Sequence, residues 1–159
     1  MNAASEAKLQ NVMPYLADKV RRMAEILALD PTPIILVVTC GLRAWLEQDV
    51  LYNQGRTAPG HIVTNAKGGY SWHNFGCAVD CAPEIVPGTI DWDSSHPQWQ
   101  RMETVGMSLG LTSGATWIRL VDAPHFQYTG QYAVGAPDDE CRQIYLNEGA
   151  EAFWETIQT

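Results

Sequence analysis

The chain has 159 residues, 46% hydrophobic and 18% charged, with ten Lys+Arg against eighteen Asp+Glu for a formal charge of −8. That length suits one domain with a real core, and the apolar content excludes a disordered chain. An acidic chain with no basic cluster is built for neither nucleic acid nor anionic membrane surfaces, and its longest apolar run, Ile34–Val38, is far below the roughly 20 residues that span a bilayer.

The opening Met1-Asn2-Ala3-Ala4-Ser5-Glu6 lacks the basic and apolar regions of a secretory signal, so synthesis in the cytoplasm without stable membrane association is expected. The first predicted helix covers about Pro14 to Leu29: Leu16, Val20, Met23 and Leu27 recur at helical spacing, Pro14 suits a first turn and Asp30-Pro31 stops the run. Ile34 to Thr39 is β-branched and continuously apolar, which reads as a buried strand. A second helix is expected from about Ala44 to Gln54, with Leu46, Val50 and Leu51 inward and Gly55 closing it. The Gly-, Thr- and Asn-rich stretch Arg56 to Tyr70 reads as a long loop, and long loops in small domains are commonly functional.

A strand near Cys77 to Ala82 follows, then a Pro/Gly-punctuated stretch to about Pro97. A helix near Gln98 to Leu109 presents Trp99, Met102, Val105 and Leu109 on one face. Thr116–Val121 and His125–Tyr128 read as further strands, and Asp138 to Ile157 as helix with a break at Gly149. The absence of a repeating βαβ rhythm favours an α+β class. Cys77 and Cys81 lie about 13 Å apart along a strand, beyond the roughly 7 Å limit for a bridge. All four cysteines therefore read as buried small apolar residues, with a Cys40–Cys141 bridge left open.

The most informative segment is Ser71-Trp72-His73-Asn74-Phe75-Gly76-Cys77-Ala78-Val79-Asp80. It sets a histidine and an aspartate about a glycine-permitted bend, and Asp80 falls in an apolar strand where a carboxylate is costly unless paired or bound to a metal. Asp122-Ala123-Pro124-His125-Phe126 brings a second pair. Two histidines and one aspartate would leave a tetrahedral zinc one open position, and Asp122 could take a proton from water there. Each residue also has a bland reading: His73 as a loop histidine, His125 as a core histidine, Asp80 as a strand-end cap, Asp122 as the start of an Asp-x-Pro turn. Spacing by itself leaves the two readings level.

The pattern Ser71-x-His73-x-x-Gly76-x-Ala78-x-Asp80 with Asp122-x-Pro124-His125-Phe126 resembles the zinc peptidases that cut peptidoglycan stem peptides. These are the D-alanyl-D-alanine carboxypeptidases and dipeptidases and the phage L-alanyl-D-glutamate endopeptidases, whose fold the hedgehog signalling domain shares. Gly41-Leu42-Arg43, Glu47-Gln48, Leu51-Tyr52-x-Gln54-Gly55-Arg56-Thr57 and Ile62-Val63-Thr64-Asn65-Ala66 resemble the endopeptidase branch. The resemblance implies a small, mostly antiparallel sheet with flanking helices and one catalytic domain over 1–159, without a separate wall-binding domain. It also implies one zinc held by His73, Asp80 and His125, with Asp122 as general base and Arg43 at the scissile carbonyl.

Ser71 is expected to support the site by hydrogen bonding, and Gln48 is a weaker candidate on the substrate side. Trp72 and Trp117 read as cleft walls or core, and His61 and His96 as bystanders. Asp122 is shorter than the glutamate of many relatives, and residues three apart on a flat strand face opposite sides, so Pro124 must bend the chain if Asp122 and His125 are to converge. The implied activity is zinc-dependent hydrolysis of the L-Ala–D-Glu bond by a monomer. D-Ala-D-Ala carboxypeptidase or dipeptidase action is the alternative, and a zinc-stabilised binding module is disfavoured by the retained Asp122. Without a signal, release to the wall by a phage or prophage holin, or something similar, is expected.

Overall fold

A computed structural model describes residues 1–118 and 120–158. Two helices open the chain, α1 (Ala3–Leu9) and α2 (Pro14–Ala28). Leu16, Val20, Met23 and Leu27 are fully buried, so the apolar periodicity of α2 faces the core as predicted. The short α1 was not anticipated. Asn2 caps it by accepting the Ser5 N–H at 2.8 Å, and its Ser5 hydroxyl in turn accepts the Val38 N–H at 3.0 Å.

Strand β1 (Ile35–Cys40) pairs antiparallel with β2 (Ala78–Val86), which pairs in turn with β5 (His125–Gln127), and β5 with β4 (Thr112–Ser113). A two-residue strand β3 (Thr89–Ile90) folds back on β2 as an unpredicted hairpin. Helices α3 (Trp45–Asn53), α4 (Pro97–Ser108), α5 (Asp139–Glu148) and α6 (Ala150–Gln158) flank this sheet, the last two meeting at Gly149 as expected. The α+β class is borne out. Val79, Cys81 and Phe126 form the floor of the core, against α2 and against Met102 and Val105 of α4. Gly106 permits the close approach of α4, since a Cβ there would meet the Phe126 ring at 2.5 Å. Among the described residues no helix is long and apolar enough to cross a membrane.

Three expectations are corrected. In α3, Leu46 and Val50 are 80% and 70% exposed and Leu51 is half-buried, while Gln48 is 1% exposed. The inward stripe is instead Trp45, Gln48, Asp49 and Tyr52, because this helix packs on a loop that offers backbone polar groups rather than on an apolar sheet. The strand expected over 116–121 is absent from its described residues; residue 119 lies outside them. Gly114–Thr116 is a 3-10 turn, and the Gly114 carbonyl accepts both Trp117 and Asp122 N–H groups, closing a surface loop with Ile118 98% exposed. Finally, the cysteines are all free and Cys40 is only half-buried, so it departs from the reading of four buried thiols.

Candidate metal centre

Local backbone geometry brings the two motifs together. Trp72–Phe75 form a 3-10 turn that Gly76 ends at φ +67°, a left-handed conformation open to glycine, and the chain then enters β2. Within β2, Asp80 points away from the core that Val79 and Cys81 face. It lies opposite His125 across the β2–β5 ladder and opposite Cys40 across the β1–β2 ladder, where a register shift after Val38 brings Cys40 into line. Ahead of β5, Asp122 to His125 form a tight turn, with the His125 N–H donating to the Asp122 carbonyl at 3.1 Å. This is the bend that convergence of Asp122 and His125 required.

Three side-chain atoms meet at the centre. His73 Nε2 is 3.1 Å from Asp80 Oδ1 and 3.2 Å from His125 Nδ1, and the latter is 3.6 Å from Asp80 Oδ1. The outward nitrogens decide what these inner ones are. His73 Nδ1 lies 2.9 Å from the Gly41 carbonyl, which can only accept, so Nδ1 carries a proton there. His125 Nε2 lies 2.8 Å from Gln127 Oε1, and Gln127 is oriented by donating its Nε2 to the Val134 carbonyl at 2.7 Å. In neutral rings both inner nitrogens therefore present lone pairs to one another and to a carboxylate. Such a cluster needs a cation at its centre. Ligands about 2.0–2.1 Å from a tetrahedral zinc lie about 3.3–3.4 Å apart, close to the spacings here.

Without a metal, a proton takes that place. Burial alone would push the His73 pKa down, but the adjacent Asp80 carboxylate outweighs it and raises the value to about 10. Burial pushes Asp80 up, yet His73 and His125 hold it well below the usual carboxylate range. Asp122, with Oδ2 4.0 Å from His125 Nδ1, is raised by burial and by the nearby Asp80 charge. Asp80, Asp122 and His125 form one group of ligand-type atoms within 4.8 Å of one another, and Cys40, His73 and Asp80 form a second.

Arg43, two residues before α3, reaches the same point. Its Nη2 donates to Asp80 Oδ2 and to Cys40 Sγ, both at 3.2 Å, and its Nη1 donates to Gln48 Oε1 at 2.9 Å. Gln48 spends its own amide on the Ala66 carbonyl at 2.9 Å and on Thr64 Oγ1 at 3.3 Å, so it ties Arg43 to the 56–70 loop. Ser71 lines the cleft, and its backbone carbonyl accepts the Asn74 N–H at 2.9 Å. Trp72 is buried and donates to the Gly135 carbonyl, while the Trp117 ring packs 4.9 Å from that of His125. His61 is exposed and His96 pairs with Asp91 at the start of α4, so neither joins the centre. Gln127 was missed by sequence reasoning, although its place two residues after His125 on a strand puts it on the same face. The cleft above these residues has a volume of about 880 Å³ and is walled by Tyr52, Thr64–Lys67, Tyr70, Trp117 and Gly135-Ala136.

Residues 64–128 match the D-alanyl-D-alanine carboxypeptidase family. The chain is 41% identical over 101 residues to the peptidoglycan L-alanyl-D-glutamate endopeptidase CwlK of Bacillus subtilis (strain 168), a match that covers 59% of this chain. The chain spans 60% of that relative's length. Its fold matches the crystal structure of the Serratia marcescens L-Ala D-Glu endopeptidase ChiX with a TM-score of 0.54 and 26% identity, covering 80% of this chain and 87% of that one. These matches bear out the resemblance and the fold class read from the sequence.

Proposed function

We propose that this chain, which shares the fold and site-bearing segment of the D-alanyl-D-alanine carboxypeptidase family, is a zinc-dependent peptidoglycan endopeptidase that hydrolyses the stem peptide between L-Ala and D-Glu. The observation that carries the metal part is the convergence of His73 Nε2, His125 Nδ1 and Asp80 Oδ1, with both histidine tautomers fixed from outside. These three atoms would hold one zinc per chain. Bound there, zinc supplies Lewis acidity and lowers the pKa of water to near neutrality.

The chain's own residues do the rest. Asp122, whose Oδ2 lies 4.0 Å from His125 Nδ1 at the edge of the centre, accepts the proton of the attacking water and delivers it to the leaving amine. Arg43 spends three of its five N–H donors on Gln48, Cys40 and Asp80, leaving two for the oxygen that gains charge at the scissile carbonyl. Gln48 acts through Arg43 by fixing its plane, and Ser71 lines the floor of the cleft beside the ligands.

Digestion of purified peptidoglycan, with product masses read in the presence and absence of a chelator, tests the proposal. Release of stem peptides with a new D-Glu amino terminus, abolished by chelation and restored by zinc, is expected. Chelator-insensitive cleavage would overturn the metal assignment. The matched family is that of the D-alanyl-D-alanine carboxypeptidases, and the same masses separate that reaction through release of terminal D-Ala.

A further inference from the structure

Two cations line the cleft, Arg43 and Lys67. Arg43 is committed to Asp80, Cys40 and Gln48. Lys67 is in no ion pair among the described residues. Although it sits in a long loop, its backbone is pinned on both sides. The Ala66 carbonyl accepts from Gln48 at 2.9 Å, and the Gly68 N–H donates to Asp49 Oδ1 at 2.8 Å. Gly68 is also pressed against α3, where a Cβ would meet the Trp45 carbonyl at 2.5 Å. The Lys67 ammonium lies 5.3 Å from the Tyr52 ring centroid, and the Arg56 guanidinium lies over the same ring at 4.1 Å. A chain of net charge −8 thus gathers two cations on one tyrosine of its cleft, while the acids of the cleft lining, Asp80 and Asp122, belong to the metal end.

We propose that Lys67 is a specificity-determining residue that binds the free carboxylate of the glutamyl residue on the leaving side of the scissile bond. This rests on the L-Ala–D-Glu reading. A glutamyl residue has two carboxyl groups, and only one continues the peptide. The other stands as an anion close to the scissile nitrogen, and the chemistry of the cleft offers it one cation without a carboxylate partner. Arg56 adds to the local positive field while its own donors stay on the Tyr52 and Thr64 carbonyls and on Asn65. A substrate whose free carboxyl is converted to carboxamide loses the charge but keeps the shape.

The test is a matrix of two stem peptides, one with the free acid and one with the carboxamide, against the zinc-loaded wild type, Lys67→Met and Lys67→Arg. Wild type is expected to prefer the acid by about three- to tenfold in kcat/KM, the span from a solvent-exposed to a partly desolvated charge pair. Lys67→Met should abolish that preference by raising KM for the acid alone with kcat kept, and Lys67→Arg should restore most of it. Equal losses on both peptides, or no preference in the wild type, would overturn the assignment while leaving the endopeptidase reading intact. Failure of the wild type to cut either peptide at L-Ala–D-Glu would overturn both.

Discussion

Gln127→Leu isolates the role of a buried residue that acts on the centre through His125. Gln127 is 1% exposed and bridges His125 Nε2 to the Val134 carbonyl with bonds of 2.8 and 2.7 Å. Leucine has similar bulk, so the perturbation is loss of the amide rather than a cavity. His125 Nε2–H loses its partner in a buried site at a cost of about 1–3 kcal/mol, whereas Val134 is an exposed residue whose carbonyl water can satisfy. The ring is then free to take the other tautomer, which places a proton on Nδ1, the atom that faces His73 and Asp80. Losing the partner that orients a histidine ligand lowers metal affinity about 10- to 100-fold, or about 1.4–2.8 kcal/mol. Chelator competition gives the zinc affinity, and nitrogen-proton NMR of the metal-free protein reads the His125 tautomer directly. Gln127→Glu is the informative partner variant, because its carboxylate can accept from His125 but cannot donate to Val134. It should retain more zinc affinity than Gln127→Leu. If Gln127→Leu binds zinc within twofold of wild type and keeps the same tautomer, the ligand geometry does not depend on this bridge and the reasoning fails.

Asp122→Ala should bind zinc as wild type does and lose at least 100-fold in peptide hydrolysis, measured by product release; near-normal lysis would remove Asp122 from the proton-transfer role. In the metal-free protein the His73 pKa stands near 10 against 6.5 for the free side chain. The stability it contributes is therefore complete below about pH 6.5 and is lost as pH rises towards 10, so the Tm of chelator-treated protein should fall across that window. A flat Tm from pH 6.5 to 10 would contradict the His73–Asp80 pairing. Thiol titration of the native, metal-free protein should find Cys40 as the reactive cysteine. Cys77, Cys81 and Cys141 are buried, with pKa values pushed up by burial, for Cys141 to about 11, and should react only after denaturation.

What the sequence disclosed and what it hid divide along physical lines. The buried face of α2 was legible because one apolar stripe at helical period has a single use. Polar residues inside apolar segments marked His73, Asp80, Asp122 and His125 as candidates, but left a metal set and separate bland roles level until the family resemblance favoured the set. By contrast, α3 was read with its faces turned, since apolar periodicity does not foresee a helix that buries Gln48 and Asp49 to satisfy loop backbone groups. The 116–121 segment is β-branched in part, yet the Gly114 carbonyl accepts the N–H groups of both Trp117 and Asp122, and the described residues of the segment join no strand. Local propensity lost there to a closure between near neighbours in the chain, Gly114 and Asp122.

The same distinction applies to charge. A net −8 describes the field far from the molecule, where it opposes anionic walls and polymers alike. Within a cleft the deciding quantity is which charges already have partners. Arg43 is paired with Asp80 and bound to Gln48 and Cys40, so its charge is largely spent on ordering the centre. Lys67 is held on a backbone fixed by Gln48 and Asp49, lines the cleft and is in no ion pair among the described residues. Under the proposed function, substrate recognition by this acidic chain falls to one cation outside any ion pair rather than to a basic surface. It should weaken only modestly with salt, because a single short-range pair is screened less than an extended field.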